Sequence, residues 1–399
     1  MLALAWMIYL YFGLLAFSVA PLIGTLESQL HFSNAAGGLL LGAYPLAYVI
    51  AALQVGRLAD AFGVKRSVTV GMALITVSAL LRAPARSFAE LFAATLLLGV
   101  GGPVVSTVLP KLVAEWFQPA HRTRAIGIYL TGPNLGAAVA FGFTPTLVSA
   151  LGSWRLLYLG YGVIGALLLG IWRAFALESA GPFGTPSSAG SSDSAERATP
   201  ALPTWRMGQV WLVVAAGAAT FVMTQGYISW VPALLTAQGL SGSGAALWGG
   251  LSRLGTLVGN VALTPRLARA SGARPTAHRD IITALLAICV ASIGLGVTGS
   301  QLLTVTGLMV QSVCAGALMP MLFGVLLDLP GLRSGQAATA AGLYFTVGQL
   351  AAALSPILVG WLLDSTGGFT SGLVAVAAAV TAAILPARML PPAHTSTTG

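Results

Sequence analysis

About twelve apolar runs of roughly 20 residues follow one another along this chain, each long enough to cross the hydrocarbon core of a bilayer as a helix. They fall at 4–26, 34–55, 67–82, 89–112, 125–149 and 155–177, then at 207–235, 244–264, 280–299, 302–327, 337–363 and 368–386. In lipid the backbone finds no water to bond, so a spanning segment is either a helix or a strand of a closed barrel. Barrel strands are short and alternate in polarity, whereas these runs are continuous. The reading is an all-α membrane protein. With 56% hydrophobic and only 7% charged residues, the chain cannot clothe a water-soluble surface. The apolar start, Leu2 to Leu26, has no basic segment before it and reads as the first span rather than a cleaved signal.

A net charge of +9 would point to nucleic acid in a soluble protein. Here its placement matters more. When the loops are assigned alternately to two sides, fifteen of the 19 Lys and Arg residues share one side. Only Arg82, Arg86 and Arg155 fall on the other, and Arg253 is left inside a span. The positive-inside rule makes the first side cytoplasmic and places both termini there. The expected location is the plasma membrane, the inner membrane of a bacterium. The bilayer is the large partner, and nucleic acid is not one.

The stretch from Glu178 to Thr204 breaks the apolar pattern with Gly, Ser, Pro and Ala and reads as a flexible linker. The expected organisation is a six-helix bundle at 1–177, a cytoplasmic linker at 178–206, a second six-helix bundle at 207–390 and a tail at 391–399. The two halves repeat. PRLARASGAR from Pro265 echoes GRLADAFGVK from Gly56, 209 positions earlier. GLYFTVGQLAAA from Gly342 echoes GIYLTGPNLGAA from Gly127, which pairs Tyr129 with Tyr344, Thr131 with Thr346 and Asn134 with Gln349. Duplicated units of this kind build secondary transporters, with the substrate held between them near mid-membrane.

Gly56, Leu58, Ala59, Asp60, Gly63, Lys65 and Arg66 lie between the second and third spans. With the repeat and the linker, they give the chain a resemblance to the major facilitator superfamily, whose signature loop reads G-x-L-A-D-x-x-G-x-[RK]-[RK]. The segment from Ala114 to Ala125 and the triplet Ser153 to Arg155 resemble that family's later loops. The resemblance implies twelve helices in two pseudo-symmetric bundles, alternating access, no enzymatic activity and a gating role for the loop. Gly56 and Gly63 permit close approach and a sharp turn. Asp60 can set its charge at a helix N-terminus, and Lys65 and Arg66 serve topology. The second copy has Arg269 in place of that Asp.

Arg253 is the strongest candidate for contact with cargo. It lies mid-span in LWGGLSRLGTLVGN, where Gly249, Ser252, Thr256 and Asn260 recur at helical spacing as one small or polar face. A guanidinium there costs about 2.5–3.5 kcal/mol on insertion scales and is expected to face a cavity. The acids Glu27, Glu90, Asp328 and Asp364 all stand at helix ends, so none pairs with it mid-span. An unpaired cation invites an anion, whereas a structural Arg bonded to carbonyls is the plainer alternative. The repeat maps Arg253 onto Tyr44, with Tyr48 one turn further on. Asn134 and Gln349, together with Gln225, Tyr227, Trp230, Gln311 and Tyr344, complete the candidate lining; helix packing or interhelical bridging is the alternative for each.

The expected activity is movement of a small organic or inorganic anion, of monocarboxylate type, by a monomer with no cofactor or metal, with protons as a further partner. The alternative is a proton-coupled drug or cation exporter. Gly132, Pro133 and Gly136 partly match the antiporter signature of the fifth helix, but Ala137 departs from it. Thr95 stands where many such exporters carry an Arg. No P-loop, metal spacing or nucleophile–base pair is visible, and the four histidines lie in loops or the tail. The expected mechanical role of the loop gives a first prediction. Asp60→Asn slows the conformational cycle more than it weakens ligand binding; a large loss of affinity with normal cycling contradicts it.

Overall fold

The computed structural model describes residues 1–176, 204–271, 274, 276–330, 332 and 334–392; the side chains of 53–62 and of some other helix-end residues lie outside the described set. Gly56 and Asp60 therefore fall outside it, as do most of the linker and the tail. Within the described residues the chain is helical throughout. Helices α1 to α6 run Leu2–Leu30, Asn34–Phe62, Val64–Arg82, Phe88–Trp116, Pro119–Leu151 and Trp154–Phe175. Helix α7 starts at Gly208–Phe221, passes through a π turn at Val222–Tyr227 and resumes at Val231–Ala237. Helix α8 is Gly242–Val258, a π turn at Gly259–Leu263, and Thr264–Ser271. Helices α9 to α12 are Ala277–Leu295, Gln301–Leu327, Ser334–Thr366 and Phe369–Arg388.

Eleven of these are long and apolar enough to cross a membrane. The remaining one, α8, is less apolar: it carries Arg253 and Asn260 within its length and Arg266 and Arg269 in its last piece. Among the described residues a helix stands at each of the twelve runs expected from sequence. The packing then follows the repeat. In the first half α1 lies along α5, α2 and α3 along α4, and α3 along α6. In the second half α7 lies along α11, α8 and α9 along α10, and α9 along α12, the same pairings six helices later.

The two bundles meet mainly through α2 against α11 and α5 against α8. Small residues make this possible. Gly38 faces the Pro356 carbonyl, Gly42 that of Ala353, and Gly360 that of Asn34, so a Cβ at any of the three would collide with backbone. One end of this seam is also fastened electrostatically. Asp364, near the C-terminus of α11, accepts hydrogen bonds from the amides of Asn34 at 3.1 Å and Ala35 at 2.7 Å and from Asn34 Nδ2 at 2.7 Å. A carboxylate thus sits on the positive N-terminus of α2, where the first amides have no helical partner.

Two turns bear on the sequence reading. Gly63 stands between α2 and α3 at φ 76°, in the left-handed region that favours glycine. Beyond it Arg66 is exposed, Lys65 is half-buried, and the Lys65 carbonyl accepts a bond from Trp172 Nε1 at 3.3 Å. The second turn is a break in α1, where a short 3₁₀ turn at Ala20–Leu22 carries Pro21. Arg82 reads from sequence as a loop cation, but it is 0% exposed. Its Nη1 donates to the Leu15 carbonyl at 3.2 Å, and its guanidinium lies 5.3 Å over the Tyr158 ring. It ties the broken stretch of α1 to α3 and α6.

Asp364→Ala removes the fastening of the α2–α11 seam. Because this carboxylate is exposed, its bonds are screened and individually weak. The expected change is a roughly three- to fivefold faster maleimide labelling of Ala353→Cys on the seam. An unchanged rate means that Asp364 does not hold this end closed.

Candidate functional site

The site is built on the seam between α5 and α8. Ser241 opens α8 as its N-cap, accepting from the amide of Gly244 at 3.2 Å. Two turns further, Gly249 and Gly250 present no side chains. A Cβ on Gly249 would lie 2.8 Å from Phe141 Cδ1, and one on Gly250 would lie 3.0 Å from Gly142 Cα and 2.9 Å from the Ala138 carbonyl oxygen. The missing side chains let α5 come into backbone contact. The next turn of α8 then carries Arg253 into the first bundle.

Arg253 is 3% exposed. Its Cζ lies 4.1 Å from the centroid of Phe17 on α1 and 4.8 Å from that of Phe141 on α5. The two rings are tilted by 40° with centroids 6.2 Å apart, so the guanidinium nests in the notch between them rather than in a parallel sandwich. Tyr44 of α2 completes the group. It packs edge-on against Phe17 at 6.1 Å and is close enough to interact electrostatically with Arg253.

Nε and Nη2 of Arg253 are fully shielded and have no hydrogen-bond partner among the described residues. These adjacent donors form the side-on fork with which arginine grips two oxygens at once. No salt bridge to Arg253 is present among the described residues. A desolvated cation over aromatic rings gains about 2 kcal/mol, which offsets only part of the cost of a buried charge. The site therefore holds a permanent cation whose hydrogen bonds are unmade.

An aromatic row continues from Tyr44. Phe12 meets Tyr44 edge-on at 6.4 Å, Tyr9 stacks on Phe12 at 6.0 Å, and Tyr129 lies 5.6 Å from Tyr9. Tyr48 is one turn from Tyr44, but its hydroxyl is already engaged with Ser106 Oγ of α4 at 2.7 Å. The hydroxyls of the polar residues beside Arg253 on α8 are spent on their own helix. Ser252 donates back to the Gly249 carbonyl at 2.6 Å, Thr256 to that of Ser252 at 3.2 Å, and Gly255 and Gly259 lie against α10. Asn260 sits within the π turn.

The other candidates divide into two groups. In the second bundle the Gln225 carbonyl oxygen, both polar atoms of Gln311, and the hydroxyls of Tyr227 and Tyr344 are buried without a hydrogen-bond partner among the described residues. Gln225 and Tyr227 belong to the π turn of α7, where Gly226 closes on Ser355 of α11. Trp230, Asn134 and Gln349 form the other group. Trp230 Nε1 bonds the Pro356 carbonyl at 3.2 Å and so joins α7 to α11. Asn134 Nδ2 bonds back to the Leu130 carbonyl at 3.4 Å, and Gln349 is half-buried on α11. Nearby, Thr131 accepts from Trp6 Nε1 at 2.9 Å, which makes it a bridge between α1 and α5. No hydrogen bond or ring contact among the described residues joins Trp230, Asn134 or Gln349 to Arg253.

The residues that sequence missed are Phe17 and Phe141. In a chain with 15 Phe, neither stands out from the lipid-facing background. The usable signal was the Gly249–Gly250 pair one turn before Arg253, which marks where another helix comes close enough to touch.

Several known proteins share this architecture. The chain is 28% identical to the 2-nitroimidazole transporter of Escherichia coli, over 90% of this chain and 86% of that one. It is 29% identical to the 3-(3-hydroxy-phenyl)propionate transporter of the same organism, over 92% and 85%. Among solved structures, an inward-facing, occupied bacterial homologue of the human lysosomal transporter Spinster superposes with a TM-score of 0.78 at 16% identity, covering 98% of this chain and 96% of that one. The family model described as Major Facilitator Superfamily matches residues 5–356. The repeated helix pairings, the paired seams and this match agree: the chain belongs to the Major Facilitator Superfamily, and it is a multi-pass membrane transporter of small molecules and not an enzyme.

Proposed function

We propose that the protein moves a small organic monoanion with a flat, two-oxygen head group across the bacterial inner membrane by alternating access, and that Arg253 is its anion-binding residue. The observation that carries this reading is the unmade Nε–Nη2 fork, buried between the bundles with no acidic partner among the described residues. One fixed cation favours one negative charge, and the coplanar donors suit a carboxylate. Tyr44, with Phe12 and Tyr9 beyond it, offers apolar ring surface for the body of such a compound. The cargo of one relative, a phenylpropionate, is such an anion; the nitroimidazole of another shares the flat ring and a two-oxygen group, but its nitro group carries no net charge.

The buried polar atoms of Gln225, Tyr227, Gln311 and Tyr344 form a second set of binding groups, on the bundle that carries Arg253. The bundles at 1–177 and 207–390 move as the two units, joined by the linker at 178–206, with both termini in the cytoplasm. Gating belongs to the α2–α11 seam, with Asp364 at one end and the loop of Gly56, Asp60, Gly63, Lys65 and Arg66 at the other.

Liposomes containing the purified protein are expected to take up radiolabelled 3-(3-hydroxyphenyl)propionate. A charge-assisted fork is worth about 1.5–3 kcal/mol, so Arg253→Ala is expected to lower uptake roughly 10- to 100-fold. Arg253→Lys keeps the charge without the fork and falls between. If Arg253→Ala transports as well as the parent, the Arg-centred site is wrong.

A further inference from the structure

We infer that Phe17 and Phe141 act as a stand-in ligand: their ring faces occupy Arg253 when the carrier is empty and yield it when cargo binds. This rests on the reading of Arg253 as the anion site and adds to it how the unloaded protein tolerates that residue.

The geometry carries the inference. Arg253 belongs to α8 of the second bundle, whereas Phe17 and Phe141 belong to α1 and α5 of the first. The contact therefore exists only while the bundles hold this mutual arrangement, and its free energy counts in the balance between conformations. Phe17 is the last residue of the first helical segment of α1, immediately before the break at Ser18. Phe141 is 0% exposed and fixed against Gly249. Both rings are thus placed by backbone features, with Cζ at 4.1 and 4.8 Å from their centroids.

An arginine stripped of water with no counter-ion makes the empty carrier costly in any closed arrangement. Ring quadrupoles supply partial negative charge without adding an anion of their own. They stabilise the guanidinium yet leave Nε and Nη2 unbonded, so a true anion still gains the whole fork. A carboxylate in their place would have excluded the cargo or required a proton to release it. Aromatic faces give a weaker hold that an anion can displace. The consequence for transport is that the empty carrier can pass through its closed arrangement and return, which net transport needs and exchange does not.

The test uses full-length protein in nanodiscs and liposomes, with Phe17→Leu, Phe141→Leu and Arg253→Met alone and in pairs. Without ligand, each Leu variant is expected to lower the thermal midpoint of the parent by clearly more than it lowers that of Arg253→Met, where only the loss of packing remains. Equal losses in both backgrounds overturn the inference. In a thermal-shift titration with benzoate, nitrate and phosphate, the Leu variants are expected to bind benzoate roughly three- to tenfold more tightly than the parent, because the competing rings are gone. Equal or weaker binding makes the rings ordinary lining and overturns the inference while leaving the anion site standing. If none of the three anions binds any form, the anion reading itself fails. In liposomes, net benzoate uptake by the Leu variants is expected to fall several-fold relative to benzoate exchange. A parallel fall in both counts against the role in empty-carrier return.

Discussion

Two helix pairs, α2 with α11 and α5 with α8, carry most of the contact between bundles, and any movement that exposes the interior must work through them. Both are built from backbone approaching backbone. In lipid no hydrophobic force draws helices together, so dispersion contacts and polar bonds must do it, and both demand close approach. Gly38, Gly42 and Gly360 supply it on one seam and Gly249 and Gly250 on the other. Such packing is rigid while closed, and parting it on one side is offset by closing it on the other. The polar features at these seams are Asp364 on the first α2 amides and Arg253 on the rings of the opposite bundle.

Arg253 and Arg82 show how the same side chain takes different roles through its surroundings. Both are buried against aromatic rings, and neither has an acidic partner among the described residues. Arg82 Nη1 donates to the Leu15 carbonyl, although its Nε and Nη2 are as unpartnered as those of Arg253, and it stays within one bundle, where it holds the break in α1. Arg253 has no hydrogen bond among the described residues and contacts the opposite bundle. A bond to backbone within a rigid unit is structural. A cation whose ring contacts belong to the other moving part is sensitive to conformation.

Much of the architecture was legible because lipid makes it so. Continuous apolar runs could only be helices, the echo of Gly56–Lys65 at Pro265–Arg274 announced the duplication, and Arg253 stood out as a charge inside an apolar run. Three features were not legible. Arg82 ends its run, so hydropathy alone cannot tell a loop cation from one folded back onto the α1 break. Phe17 and Phe141 are apolar residues in an apolar chain, and only the three-dimensional notch gives them meaning. The polar face of α8 was drawn from helical spacing alone, which cannot show that Ser252 and Thr256 satisfy their hydroxyls on their own helix.

The register of the α2–α11 seam joins the sequence reading of Asp60 to the observed contact of Asp364. Residue numbers rise along α2 as they fall along α11: Asn34 meets Gly360, Gly38 meets Pro356 and Gly42 meets Ala353. The helices are therefore antiparallel, and each presents its C-terminal end to the other's N-terminus. At one end this lets a carboxylate from α11 hold the first amides of α2. The same register, carried along a seam closed at its other end, brings Asp60 to Ser334, the first residue of α11. The expected latch of Asp60 is thus the mirror of the one at Asp364, a carboxylate near the end of one helix on the start of its partner. Rigid helices that rock about their middle cannot close both ends together, so a latch at Asp60, as expected from sequence, would oppose the one at Asp364. Each would have to stabilise one arrangement only slightly, because a latch stronger than the cargo's own binding energy would stop the cycle.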